Sequence, residues 1–172
     1  MKYFCFFATA LLLFGSCSPK SGPSAANEPA QAPQTEAELA ERVISRVKHI
    51  ISETDARLSA ITPIVDTLAP EAGQSQGNIL QLWMEDEKAV KLKLIEPGQT
   101  EADNSVSTFY FAGSDLFYAA QPFAHFIFIG GNLEYWLDDT WEVNQVSSAA
   151  LDEREGYLYD EANRYLSWFF GQ

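Results

Sequence analysis

Phe109-Tyr110-Phe111-Ala112-Gly113-Ser114-Asp115-Leu116-Phe117-Tyr118 and Phe126-Ile127-Phe128-Ile129-Gly130-Gly131-Asn132-Leu133-Glu134-Tyr135 are one pattern written twice. Each places an aromatic and aliphatic run on both sides of a Gly-led tight turn, the strongest local signal for a β-hairpin. Two hairpins in succession predict an antiparallel meander. An earlier pair of runs extends it: Leu80, Leu82 and Met84 alternate with Gln81 and Trp83, and Val90, Leu92 and Leu94 alternate with Lys91 and Lys93. That is period two with one wet face, joined through an acidic turn at Glu85-Asp86-Glu87. A calcium loop would need more oxygen ligands at fixed spacing and a bending Gly, so this turn is read as solvated.

With two-residue loops at Gly113-Ser114 and Gly130-Gly131, Phe111 should oppose Leu116 and Phe109 oppose Tyr118. Phe128 should oppose Leu133, and Phe126 oppose Tyr135. All eight then share one core face with Leu80, Leu82, Val90, Leu92 and Leu94. The other face should carry Tyr110, Phe117, Ile127, Ile129, Glu134 and Trp136 at one end, and Gln81, Trp83, Lys91 and Lys93 at the other. Tyr110, Phe117 and Trp136, with Glu134 as an acceptor, form the candidate ligand- or partner-binding set. Two amphipathic helices are available and need not share a face, so cover by one of them, or by a curl of the sheet, is favoured over an open platform.

The first helix starts at a capping box, Thr35-Glu36-Ala37-Glu38. Leu39, Val43, Val47, Ile50, Ile51, Leu58 and Ile61 recur at three- and four-residue spacing behind it, up to Pro63, which disfavours helical geometry at Thr62. Residues 64–68 suit a short edge strand or a plain connection, and 70–78 and 97–105 are loops. Asp138-Asp139-Thr140-Trp141 makes a turn, and 141–146 suits a last short strand. Ser147 or Ser148 caps a closing helix with an apolar stripe of Leu151, Leu158, Ala162, Tyr165, Leu166 and Phe169, stopped by Gly171. Gly156 weakens that helix and invites a kink or break. The fold class is α+β: an antiparallel β-meander of about five to seven strands with an N-terminal and a C-terminal helix.

Ahead of this domain, Met1-Lys2 is a minimal positive n-region and residues 3–14 are almost wholly apolar. That is too short for a transmembrane helix, which needs about 20 residues, and it has the length of a signal-peptide h-region. Phe14-Gly15-Ser16-Cys17 resembles the lipobox of bacterial lipoproteins, with Phe14 standing where an aliphatic residue is usual. The resemblance implies cleavage before Cys17 and acylation of that cysteine. Residues 18–34, rich in Ser, Pro, Ala, Gly and Gln, cannot offset their ordering entropy by burial and are expected to be a flexible tether. The expected division is therefore residues 1–16 as signal peptide, 17–34 as lipidated Cys17 and tether, and 35–172 as a single domain. Ser18 after the cysteine implies, by resemblance to known sorting rules, an outer-membrane protein facing the periplasm. The domain itself resembles small helix–meander–helix lipoproteins, without a diagnostic motif.

The chain has 172 residues and a formal net charge of −13. That field repels phosphate-rich partners, so nucleic acid is excluded. The membrane is met through the Cys17 anchor, and another envelope protein or a saccharide remains as partner. Cys5 and Cys17 are the only cysteines, so the domain has no disulfide framework or Cys-based metal site. There is no phosphate loop, no G-x-S-x-G elbow and no H-E-x-x-H, so neither metal nor cofactor is expected. His49 lies beside the first helix's apolar stripe. His125, with Ser105, Ser107 and Asp138 as conceivable neighbours, has no local mark of a triad. Asp138, Asp139 and Glu142 are read as a solvated turn, since paired carboxylates also need a cleft. No catalytic residue is assigned. A non-enzymatic binding or accessory lipoprotein of the cell envelope leads, ahead of a small envelope hydrolase and of a carrier for an apolar or saccharide ligand.

Overall fold

In the computed structural model, residues 35–70, 76–98, 100 and 104–171 are described. The expected signal peptide, Cys17 and tether lie outside them. Helix α1 (Glu36–Leu58) is followed by strands β1 (Ile64–Thr67), β2 (Ile79–Glu85), β3 (Lys88–Glu96), β4 (Ser105–Ala112), β5 (Asp115–Gln121), β6 (Ala124–Ile129) and β7 (Asn132–Asp138), then by α2 (Ser148–Phe170). The strands form one seven-stranded sheet in sequential order, antiparallel throughout, so the α+β meander is as expected.

Both helix starts are built locally. The Glu38 amide donates to Thr35 Oγ1 at 3.2 Å, and the Thr35 amide donates to Glu38 Oε2 at 2.9 Å, which completes the capping box. Ser147 caps α2, its hydroxyl accepting from the Ala150 amide at 3.2 Å. Helix α1 ends at Leu58, short of the expected stop before Pro63, because the chain turns at Ser59, whose hydroxyl takes the Ala56 carbonyl at 2.7 Å. Residues 64–67 do pair as an edge strand. Residues 141–146 make only an isolated bridge, Leu137 to Val143, but they cover the free edge of β7: the Asn144 amide donates to the Trp136 carbonyl at 2.8 Å. Helix α2 runs unbroken through Gly156. Among the described residues no helix is long and apolar enough to cross a membrane.

The turns are two residues long, as the hairpin signal demands, but the register beyond them is not the simple one. Phe111 pairs with Leu116 and Phe128 with Leu133, as expected. Tyr110 then pairs with Tyr118, and Ile127 with Tyr135, which leaves Phe117 and Glu134 as extra residues. In the first hairpin Met84 pairs with Ala89 and Trp83 with Lys91, leaving Val90 extra. In these three hairpins the bulge falls on the third residue of the return strand, whereas β5 and β6 pair without one. A bulge sets two residues against one, so every residue beyond it changes face relative to an unbroken ladder. Tyr118 and Tyr135 therefore leave the face assigned to them, and Ala119 and Trp136 take their places opposite Phe109 and Phe126.

The result is three layers. Helix α2 lays Leu158, Ala162 and Tyr165 on Leu80, Leu82, Leu92, Leu94, Phe109, Phe126 and their neighbours. Helix α1 lays Val47, with Val43, Ile44 and Ile51, on Tyr110, Tyr118, Ile127 and Leu137. Each helix brings one apolar stripe to one sheet face, which is why the chain needs both.

Two glycines give a clean test of the backbone argument. At Gly113 and at Gly156 an added Cβ would meet nothing within 4 Å, so space is not at issue. Gly113 has φ +70 in a hairpin turn, and Gly156 lies inside α2. Gly156→Ala is expected to stabilise the fold by about 1 kcal/mol and raise Tm by a few degrees, and Gly113→Ala to destabilise it by about 1 to 2 kcal/mol. Denaturant titration of the two variants checks both signs, and equal signs would refute the backbone assignment.

Candidate functional site

The structure does not gather the four candidate binding residues. Tyr110 is only 4% exposed, under α1. Its hydroxyl donates to Asp55 at 2.8 Å, and Lys91 Nζ holds the same carboxylate at 2.7 Å. Burial, and then the Asp55 carboxylate, push the Tyr110 phenol well above its ordinary value. Phe117, the bulge residue, packs edge-on to Tyr110 with ring centroids 6.2 Å apart in the α1 layer. Glu134, the bulge residue of the last hairpin, is exposed. Trp136 lies on the opposite face, tilted against Phe126 at 5.4 Å in the α2 layer. The common face expected from strict alternation fails because bulges intervene.

His125 sits on the α1 face among rings. Tyr118 Oη is 2.8 Å from Nδ1, and the Trp141 ring stacks at 4.1 Å and 20°. Lys48 Nζ lies 4.5 Å above Trp141. Trp141 itself is left-handed, with φ +72, and the stack on His125 and Tyr118 holds it there. In the neutral tautomer that carries its proton on Nε2, Nδ1 accepts the Tyr118 proton. Ser105 and Ser107 lie on β4, paired with Glu96 and Leu94, and β5 separates them from His125. Asp138 Oδ1 accepts from the Thr140 amide, the Thr140 hydroxyl and the Glu142 amide, at 2.8 to 2.9 Å. These bonds hold the Asp138 carboxyl below its usual range and build the turn. Ring and carboxylate are thus committed to holding the loop that follows β7. Among the described residues no cluster of three His, Cys, Asp or Glu side chains is placed to hold a metal ion.

A cavity opens on the other side of the sheet, where the first half of α2 crosses β7. Its volume is about 410 Å³, and Trp136, Ala150, Glu153, Arg154 and Tyr157 line it. The four helical residues are spaced i, i+3, i+4 and i+7, a single stripe of α2. The bulge at Glu134 turns Trp136 toward that stripe. The Arg154 guanidinium lies over Trp136 at 4.8 Å, Tyr157 at 5.4 Å and Phe126 at 5.5 Å, a nest of rings that suits its flat, weakly hydrated cation. Its Nη1 donates to Gln121 Oε1 at 3.3 Å, and Gln121 Nε2 donates to Glu161 Oε2 at 3.0 Å. Burial pushes the Glu161 carboxyl up, and bonds from Tyr157 and Gln121 oppose that shift. The site thus offers indole and phenol faces, a fixed guanidinium fork and a rim carboxylate. Trp136 stood out in the sequence. Arg154 and its stripe did not, although the spacing Ala150-x-x-Glu153-Arg154-x-x-Tyr157 was there to be read beside the core stripe.

His125 generates a pH-dependent expectation. Burial lowers its pKa, against the pull of Asp139 and Asp138 and with the help of Lys48. The unfolded chain therefore takes up the proton first as pH falls below about 6.5. The stability that neutral His125 contributes is fully present above that value and is lost as pH falls through the lower folded value. The advantage of the native chain over His125→Asn should therefore shrink on acidification, as read by urea unfolding at a series of pH values. A widening advantage would refute the neutral, buried ring.

No family model matches the chain, and neither a curated protein nor a solved structure does.

Proposed function

We propose that this protein is a lipid-anchored, non-enzymatic binding module of the bacterial cell envelope, and that the cavity between α2 and β7 holds its ligand. One observation carries the binding half of the proposal: a concave space of about 410 Å³ that combines two aromatic faces with an arginine set among rings. Ligand sites have this make-up, a largely apolar concavity with a few fixed polar groups. Anchoring rests on the lipobox-like Phe14-Gly15-Ser16-Cys17 and on the tether-like composition of residues 18–34. In this reading the domain hangs from the outer membrane into the periplasm.

A partner seated on the open sheet is disfavoured, because α1 and α2 cover the two faces. The hydrolase alternative loses ground to the partners of His125 and Asp138, which serve the loop after β7 rather than a nucleophile.

Two measurements test the two halves. Expressed with its leader, the native chain should partition with membranes and release into detergent, whereas Cys17→Ser should appear in the soluble fraction. An unchanged distribution would overturn the anchor. For the pocket, the Trp136 indole N–H signal, assigned by its loss in Trp136→Phe, is followed against a library of small ring compounds. Binders should move it in preference to the Trp83 and Trp141 signals, and a library that leaves it still would overturn the pocket.

A further inference from the structure

Arg154 is a cation set among acidic neighbours and aromatic rings. The chain holds 24 acidic residues against 11 basic ones, and α2 places Glu153 and Glu155 on either side of Arg154. Among the lysines and arginines of the described residues only Arg57 and Lys91 pair with a carboxylate within 4.0 Å, Glu85 and Asp55 at 2.7 Å, and Arg154 is one of the several that do not. Two carboxylates of the same helix are engaged elsewhere. Glu155 Oε2 accepts the Leu133 amide at 2.6 Å, and Glu161 accepts from Gln121 and Tyr157. Of the five N–H donors of a guanidinium, the described residues accept one, through Gln121 at 3.3 Å. A fork seated among three rings, with most of its donors facing no acceptor among the described residues, suits the bidentate acceptor that matches it, a carboxylate.

The surroundings narrow the ligand further. Trp136 and the half-exposed Tyr157 give flat apolar faces of the kind that stack on a sugar ring, and the Glu153 carboxylate at the rim suits hydroxyl groups. The net charge of −13 opposes a polyanion at long range, so one carboxylate fits better than several. We infer that the pocket takes an acidic saccharide, a pyranose unit bearing a single carboxylate, with Arg154 on the carboxylate and Trp136 against the ring. This rests on the cavity being the ligand site.

The test uses the full chain in detergent and three probes: methyl glucuronide, methyl glucoside and benzoate. The Trp136 indole signal gives both location and affinity. Glucuronide should shift it and bind roughly tenfold or more tighter than glucoside, and Arg154→Gln should erase that preference with the unfolding midpoint retained. Arg154→Lys, which keeps the charge and loses the fork, should recover only part of it. Equal binding of glucuronide and glucoside, or a preference that survives Arg154→Gln, would overturn the carboxylate assignment and leave the pocket standing. Benzoate binding as tightly as glucuronide would overturn the saccharide. If no probe moves the signal, the acidic-saccharide inference fails. The pocket fails with it only if the wider ring library also leaves Trp136 still.

Discussion

The division of this sheet into its two faces turns on a bulge that recurs at one position, the third residue of the return strand in three of its hairpins. A regular ladder would gather the large aromatics on one face and leave the other mixed. With Val90, Phe117 and Glu134 unpaired, side chains beyond those points change sides. Phe109 and Phe126 stay on one face while Tyr110, Tyr118 and Ile127 fill the other, and all are buried. A sheet with two apolar faces cannot stand with one helix, since each face left wet would forfeit roughly 1.5 to 3 kcal/mol for every large side chain exposed. The bulges thus add Tyr118 to the face that already holds Tyr110 and Ile127, and each of the two apolar faces takes a helix.

The two interfaces solve the problem by different chemistry. Against α2 the sheet offers mainly aliphatic and phenyl side chains, and the tyrosines come from the helix, where Tyr159 reaches the Gly131 carbonyl at 3.1 Å and Tyr165 accepts from the Arg164 guanidinium. Against α1 the sheet offers tyrosines, and phenols taken from water need partners. Asp55 answers for Tyr110, and His125 for Tyr118. Lys91 completes the first cluster: its ammonium is largely covered, 4.9 Å from the Tyr110 ring and on Asp55. An ion pair of this kind adds little net stability against an apolar equivalent, but removing either member strands a desolvated group. The cluster therefore fixes where α1 lies more than how tightly it is held. Where α1 lies in turn decides that Lys48 reaches Trp141 and closes the stack on His125.

The legibility of this chain divides at the bulges. The elements could be read: the Thr35 capping box, the Gly113 and Gly130 turns, the period-two runs and the Ser147 start are local signals with local causes. Pairings within two residues of each turn could be read too, as Phe111 with Leu116 and Phe128 with Leu133 show. Past that point the parity was hidden, because no residue type marks a bulge of this kind: Val90, Phe117 and Glu134 share no chemistry. The error then propagated to Trp136, placed with Tyr110 and Phe117 by alternation and found on the far side of the sheet. The closing helix was half legible for another reason. Its core stripe of Leu158, Ala162 and Tyr165 stands out by hydrophobicity, whereas a stripe of Ala, Glu, Arg and Tyr stands out only once something is known to face it.

That contrast separates two tasks along α2. From Leu158 onward the helix buries one side chain per turn and holds the sheet. Before it, residues 150–157 contribute one part-buried anchor, Leu151, and spend the facing stripe on the cavity. Helix propensity is lowest there as well, since Gly156 forgoes about 1 kcal/mol that Ala would return with no steric obstacle. Nor is the Arg154 guanidinium the stabilising choice for its place. An apolar side chain would fill the space beside Phe126 and Trp136 without desolvating a cation, and the cation–ring contacts recover about 0.5 to 2 kcal/mol in exchange. Natural chains rarely sit at their stability optimum, so neither position marks a site by itself. Under the binding function proposed above, Arg154 and Gly156 are where the needs of the fold and the lining of the cavity meet on one stretch of helix.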